Sequence, residues 1–205
     1  EDGRLSLVEL ELTTGGRSRA QVNKQRVKKF RDLSDTVRVV VFSPDDLELI
    51  KGPPSVRRSL LDDALASINI QFRATRTDFD RILRQRNNLL KQARGRTTTE
   101  LEASLVIWNQ QLVDAADQIG DDRSNFVQNI EPVVADFYER VAGTDEQVSL
   151  KLDADWREEG LAESLLRSQD EEVRRGVTLV GPHRDDLVIL LSQLHSRTHL
   201  VFLVI

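Results

Sequence analysis

The chain has 205 residues, 39% apolar and 31% charged, enough for a sizeable core and too apolar for a disordered polymer. With no cysteine it can build no disulfide framework, no cysteine-ligated zinc site and no thiol nucleophile, which fits a reducing cytoplasmic setting. The net charge of −5 conceals a split: residues 1–96 carry 20 basic and 13 acidic side chains, residues 97–205 carry 9 and 21. A basic half suits a polyanionic partner, and phosphate backbones bind such surfaces by counterion release. No run of 18 apolar residues is present, and Glu1-Asp2-Gly3-Arg4 lacks the apolar region of a secretory signal, so no membrane association is expected. Methionine is absent throughout, and the expectation is a fragment.

Residues 5–12 read as a strand, with Val8, Leu10 and Leu12 alternating against Glu9 and Glu11. The turn residues Thr13-Thr14-Gly15-Gly16 and a second strand through Ala20 and Val22 predict a hairpin. A β-branched run, Val37 to Phe42, predicts a third strand. Ser43-Pro44-Asp45-Asp46 then reads as a helix start. After the breaker Gly52-Pro53-Pro54, a 3.6-residue period runs through Val56, Leu60, Leu61, Ala64, Leu65 and Ile68.

Three longer helical seams follow. The first holds Phe72, Phe79, Ile82, Leu83 and Leu90; the second holds Leu101, Leu105, Trp108, Leu112, Ala115 and Ile119. The third holds Phe126, Ile130, Val133, Val134, Phe137 and Val141, and Gly120-Asp121-Asp122 is expected to separate it from the second. Alternating 4-3 spacing predicts antiparallel packed helices. A strand returns at Val148, Leu150 and Leu152, followed by a short helix over 161–166. Val177–Val180 and Leu187–Leu191 then read as strands around a loop, Gly181-Pro182-His183-Arg184-Asp185-Asp186. The expected fold is α+β: a helical lobe, 53–146, inserted in a sheet-containing lobe, 1–52 and 147–205.

Catalytic motifs are scarce. Neither a G-x-x-x-x-G-K-[ST] phosphate loop nor a G-x-S-x-G nucleophile elbow occurs, and His195 and His199 lack the H-E-x-x-H pattern. A metal hydrolase built on His183, Asp185 and Asp186 is a weak rival reading, and no catalytic or metal residue is assigned.

Three stretches carry more information. They are Phe42-Ser43-Pro44-Asp45-Asp46-Leu47 through Gly52-Pro53-Pro54-Ser55-Val56-Arg57-Arg58 to Asp63; Leu83-Arg84-Gln85-Arg86-Asn87-Asn88-Leu89-Leu90-Lys91; and Arg174-Arg175-Gly176-Val177-Thr178 through Gly181-Pro182-His183-Arg184-Asp185-Asp186-Leu187. In content and order they resemble the RecF family of bacterial recombination and DNA-repair proteins, from about Leu5 to His199. The resemblance implies part of an ABC/SMC-like ATPase lobe with an inserted helical lobe of antiparallel helices. It also implies DNA binding at single-strand gaps or duplex junctions, work with RecO and RecR in gap repair and RecA loading, and an SOS-response setting. A slow ATPase using ATP and Mg²⁺ would control homodimerisation. The phosphate loop, the signature and the paired Asp motif of that family are missing from these residues. Tight ATP binding and turnover are therefore not expected of this polypeptide alone. The tail Leu200–Ile205 departs from the family pattern, and Val40 stands about where related sequences can carry a glutamine.

Charge and resemblance together nominate DNA-contacting residues: Lys24, Arg26, Lys28, Lys29, Arg57, Arg58, Arg84 and Arg86. Arginine suits phosphate because its planar fork holds two oxygens. For Arg57 and Arg58 the other use is the ATP-side interface, and an Arg58–Asp62 ion pair is the plainer alternative. His183, Arg184 and Asp185 are nominated for the nucleotide or dimer interface; the plainer alternative is a loop held by its own hydrogen bonds. A different class of function is also open: a non-enzymatic module whose helical hairpin binds proteins.

Overall fold

In a computed structural model of the chain, residues 6–11, 13–14, 18–27, 33, 36, 47–143, 146–193 and 202–204 are described. They form two units, Glu1–Asp45 and Asp46–Ile205.

In the first unit the predicted hairpin is present. Strand β1 (Val8–Glu11) pairs antiparallel with β2 (Arg19–Val22), placing Val8 opposite Val22 and Leu10 opposite Ala20. A short β3 (Gln25–Arg26), which the sequence reading did not include, pairs with β2 across Asn23-Lys24. Both turn residues have positive φ (52° and 66°), as a two-residue hairpin turn with right-handed strand twist requires. The predicted strand at Val37–Phe42 and the helix start at Ser43–Asp46 lie outside the described residues, as do Lys28, Lys29 and Val40.

The second unit begins with a one-turn helix, α1 (Glu48–Lys51), and α2 (Pro54–Ile68). Pro54 starts α2 at a position where its missing N–H costs nothing. The buried face of α2 is Arg57, Leu61, Asp62 and Leu65, while Leu60 and Ile68 are exposed. The expected apolar stripe is thus rotated, because two charged side chains take core positions. Helix α3 (Ile70–Ala93) is capped by Asn69, whose side chain accepts from the Phe72 N–H at 3.1 Å.

Helix α4 (Thr99–Ala142) is capped by Thr98 and runs unbroken for 44 residues, about 66 Å at 1.5 Å per residue. The break expected at Gly120-Asp121-Asp122 does not occur. An internal glycine costs a helix only about 1 kcal/mol, and Ile119, Arg123 and Val127 hold this stretch in the core. Gly120 is also required for close packing. A Cβ there would lie 3.0 Å from the Trp156 ring and collide with the Arg157 guanidinium.

Strand β4 (Glu146–Asp153) follows, then a single helical turn, α5 (Trp156–Glu159), and α6 (Leu161–Arg175). The helix predicted over 161–166 is therefore 15 residues long. Strand β5 (Asp186–Gln193) pairs antiparallel with β4, with Asp153 opposite Asp186 and Glu146 opposite Gln193. Strand β6 (Phe202–Val204), inside the unmatched tail, pairs with the far edge of β5.

The core joins Leu61, Leu65, Phe72, Phe79, Leu112, Ile119, Leu150, Leu161 and Leu187. A second cluster of Leu90, Leu101, Leu105 and Val173 ties together the near ends of α3 and α4 and the end of α6. The α+β class is that expected, with small antiparallel sheets beside dominant helices. No helix among the described residues is long and apolar enough to cross a membrane.

Candidate functional site

Residues 177–180 do not form the predicted strand. Their backbone groups are taken by side chains instead. The Thr178 N–H donates to Asn87 Oδ1 at 2.7 Å and the Leu179 N–H donates to Glu172 Oε1 at 2.8 Å. The Thr178 carbonyl accepts from Arg184 and sits 3.1 Å from His183 Nε2. With its backbone satisfied this way, the segment needs no neighbouring strand. It leads into Gly181, whose φ of 115° permits the turn, and a 3₁₀ turn at Pro182–Arg184.

Three buried arginines fasten this loop to the helices. Arg123 of α4 grips both oxygens of Asp62 on α2 (2.8 and 2.9 Å) and donates to Asp185 Oδ2 and the Pro182 carbonyl, each at 2.8 Å. The indole N–H of Trp156 donates to the other Asp185 oxygen at 2.7 Å. Arg57 holds Asp186 through two bonds of 2.7 and 2.8 Å and also donates to the Leu49 and Gly52 carbonyls. Arg86 of α3 donates to Asn109, Thr178 and Glu172, with no exposed surface on Arg86 or Glu172.

Burial and charge shape these groups. Desolvation lowers the pKa of Arg123, and its two carboxylate partners keep it bonded as the cation. Desolvation raises Asp185, opposed by Arg123 and Trp156. The Arg57 bonds lower Asp186. Burial brings His183 down to about 4, so it is neutral near pH 7. Its Nδ1 is buried with no hydrogen-bond partner among the described residues.

Arg57, Arg58, His183, Arg184 and Asp185 therefore meet around one loop, as a linear reading could not show. Arg86 cannot touch DNA from its position: every face of its guanidinium is engaged inside the protein, which corrects its nomination. Arg57 is likewise 7% exposed and bound to Asp186. Arg58 makes no pair with Asp62; it is half-buried and donates to the Asp185 carbonyl at 2.6 Å. Arg84 is exposed on α3, Arg184 on the loop, and Lys24 and Arg26 on the β2–β3 hairpin. The carboxylates of Asp185 and Asp186 are occupied by arginines, and among the described residues no His, Asp and Glu cluster is placed to hold a metal ion.

The residues the sequence reading missed are Arg123, Asp62, Glu172, Asn87 and Thr178. The available signal was spacing: Arg86 lies four residues after Ile82 and four before Leu90, and Arg123 four after Ile119 and four before Val127. A charged residue at a seam position is a buried charge that needs a buried partner.

No protein-family model matches the chain. It is 35% identical over 211 residues to the DNA replication and repair protein RecF of Streptomyces avermitilis, covering 96% of this chain and 56% of that protein. Against the protein of the same name from Pseudarthrobacter chlorophenolicus it is 33% identical, covering 94% and 57%. Two solved structures of the recombination mediator protein RecF in the RecFOR pathway, one with ATPrS and one with ATP, share the fold. Their TM-scores are 0.74 and 0.75 at 24% identity, covering 91% of this chain and 52% of those chains. The chain thus spans somewhat more than half the length of the curated relatives it matches; over nearly all of its own length it is similar in sequence to these RecF proteins and shares the fold of the RecF structures.

Proposed function

We propose that this chain is the DNA-contacting part of a RecF-type replication and repair protein, acting in gap repair and RecA loading. The observation that carries this reading is the likeness, over 96% of the chain, to a protein named for DNA replication and repair. Exposed bases supply the means: Lys24 and Arg26 in the first unit, Arg84, Arg184 and half-buried Arg58 in the second. Lys28 and Lys29 extend the first group in sequence. Residues 1–52 and 147–205 belong to the ATPase-like lobe and 53–146 to the helical lobe. His183, Arg184 and Asp185 serve the nucleotide or dimer interface through the loop they build. ATP-dependent dimerisation, and partners of the RecO and RecR type, belong to the longer protein; the ATP- and Mg²⁺-binding motifs are not among these 205 residues. The setting is cytoplasmic. Fluorescence anisotropy with gapped, single-stranded and duplex oligonucleotides across a salt series tests the reading. Binding that weakens log-linearly with salt is expected. Salt-independent or absent binding would overturn it.

A second reading, a protein-binding module, is favoured by a different observation. Val133, Phe137 and Val141 lie four residues apart on α4 and are 52%, 57% and 85% exposed, an apolar stripe along one helix face. Absence of DNA binding together with saturable binding of a partner protein, lost in Phe137→Glu, would select this reading.

A further inference from the structure

We propose that the cavity between the first turns of α2 and the Pro182–Arg184 turn binds a phosphate oxyanion, anchored by Arg58. This rests on the phosphate-contact reading of Arg58 above and narrows it to a built subsite. The cavity has a volume of about 160 Å³, room for several waters and hence for one tetrahedral oxyanion. Arg58, Arg76, Arg123 and His183 form its walls, with Ser55 and Ser59 at one side. The Phe79 ring completes the lining, and no carboxylate side chain contributes to it.

The three arginines are not equivalent. Arg123 is neutralised from behind by Asp62 and Asp185, and Arg76 by Asp62 and Asp80. Arg58 has no carboxylate within ion-pair distance among the described residues; its one hydrogen bond there goes to the Asp185 carbonyl. It is half-buried; desolvation first, then the charges of Arg123 and Arg184, lower its pKa, while Asp185 and Asp186 act in its favour from beyond ion-pair distance. A partly desolvated cation with no carboxylate in direct contact is costly, and an anion beside it relieves that cost. The rest of its guanidinium can grip two oxygens in a fork. The hydroxyls of Ser55 and Ser59 make no hydrogen bond to a described side chain or carbonyl, and they can donate to a third oxygen. A DNA backbone diester and a free phosphate share this chemistry.

The test titrates the 205-residue chain with inorganic phosphate at constant ionic strength, following amide and Arg Nε–H shifts by NMR. Saturable shifts at Ser55, Arg58 and Ser59 are expected. Arg58→Gln should weaken binding at least tenfold, and Arg167→Gln, at an exposed arginine of α6, should leave it unchanged. Ser55→Asp places a carboxylate at the cavity and should abolish binding; an acid in the first turn of α2 favours the helix, so this variant keeps its fold. Absence of saturable shifts, or equal affinity in Arg58→Gln, overturns the proposal. Oligonucleotide binding then separates the sources. A parallel tenfold loss of DNA affinity in Arg58→Gln identifies a backbone phosphate; unchanged DNA affinity identifies a free phosphate. Phosphate binding with no DNA binding by the parent chain would remove the nucleic-acid reading and leave the oxyanion site standing.

Discussion

Arg86 on α3 and Glu172 on α6 meet at 2.6 Å with no exposed surface on either side chain, although 86 residues separate them in sequence. The pair is the pivot of the second unit. Arg86 also reaches Asn109 and Thr178, and Glu172 also accepts from the Leu179 N–H, so one ion pair connects three helices and the loop segment.

Removing one partner leaves the other charge buried. Arg86→Met is expected to destabilise the chain by about 3–5 kcal/mol, a large share of a typical domain's stability. Glu172→Leu in the same chain should recover part of that loss and no more, because the Leu179 N–H stays unpaired. Urea unfolding of the two single variants and the double variant measures both effects, and full additivity would contradict the pairing.

The depressed pKa of His183 predicts an acid-sensitive fold. Native His183 stays neutral down to about pH 4, while the unfolded chain takes up this proton near pH 6.5. The unfolded state therefore binds more protons between those values, and stability falls as pH drops from about 6.5 to 4. The effect is on the order of 2–3 kcal/mol for this group. His183→Asn should flatten the stability profile across that window; an unchanged slope would assign the acid sensitivity elsewhere.

Gly120→Ala offers a sign test. On helix propensity alone, alanine in α4 should stabilise by about 1 kcal/mol. The new Cβ instead meets Trp156 and Arg157, so a loss of about 1 kcal/mol or more is expected. Thermal melting decides the sign. Truncating the flexible Arg157 side chain together with Gly120→Ala should restore only some of the loss, because the indole stays in place.

The basic residues divide by role. Lys24→Gln, Arg26→Gln and Arg84→Gln should each leave the melting temperature nearly unchanged. Each should reduce the salt slope of DNA binding by up to about one. Arg86→Gln should do the reverse, lowering stability with no specific effect on the slope. In parallel, Mg²⁺-dependent ATP hydrolysis by the 205-residue chain is expected at the buffer blank.

The elements legible in the sequence were those with a strong period. The β1–β2 hairpin, the α3 seam and strands β4 and β5 stand where alternation or 3.6-residue spacing placed them. Three features escaped that logic for different reasons. Gly120 looks like a breaker, yet tertiary packing around Ile119 and Val127 overrides its modest propensity cost. Val177–Val180 has a strand's composition, yet Asn87 and Glu172 supply the hydrogen bonds a strand would need, from 91 and 7 residues away. The face of α2 is set by Arg57 and Asp62, whose partners, Asp186 and Arg123, lie far along the chain. The resemblance to RecF identified the Gly181–Asp186 loop as special, but its role as the meeting point of Arg57 and Arg123 depends on distances that no linear pattern contains.

The stitching of residues 178–179 by side chains has a consequence for how the protein breathes. These amides sit in irregular backbone, where exchange with solvent is ordinarily fast. Their acceptors belong to α3 and α6, so they can open only when those helices part. The segment leading into Gly181 should thus exchange its protons with the slow cooperative unit of the helices, and the exposed Arg184, which donates to the Thr178 carbonyl, is tied to that same segment.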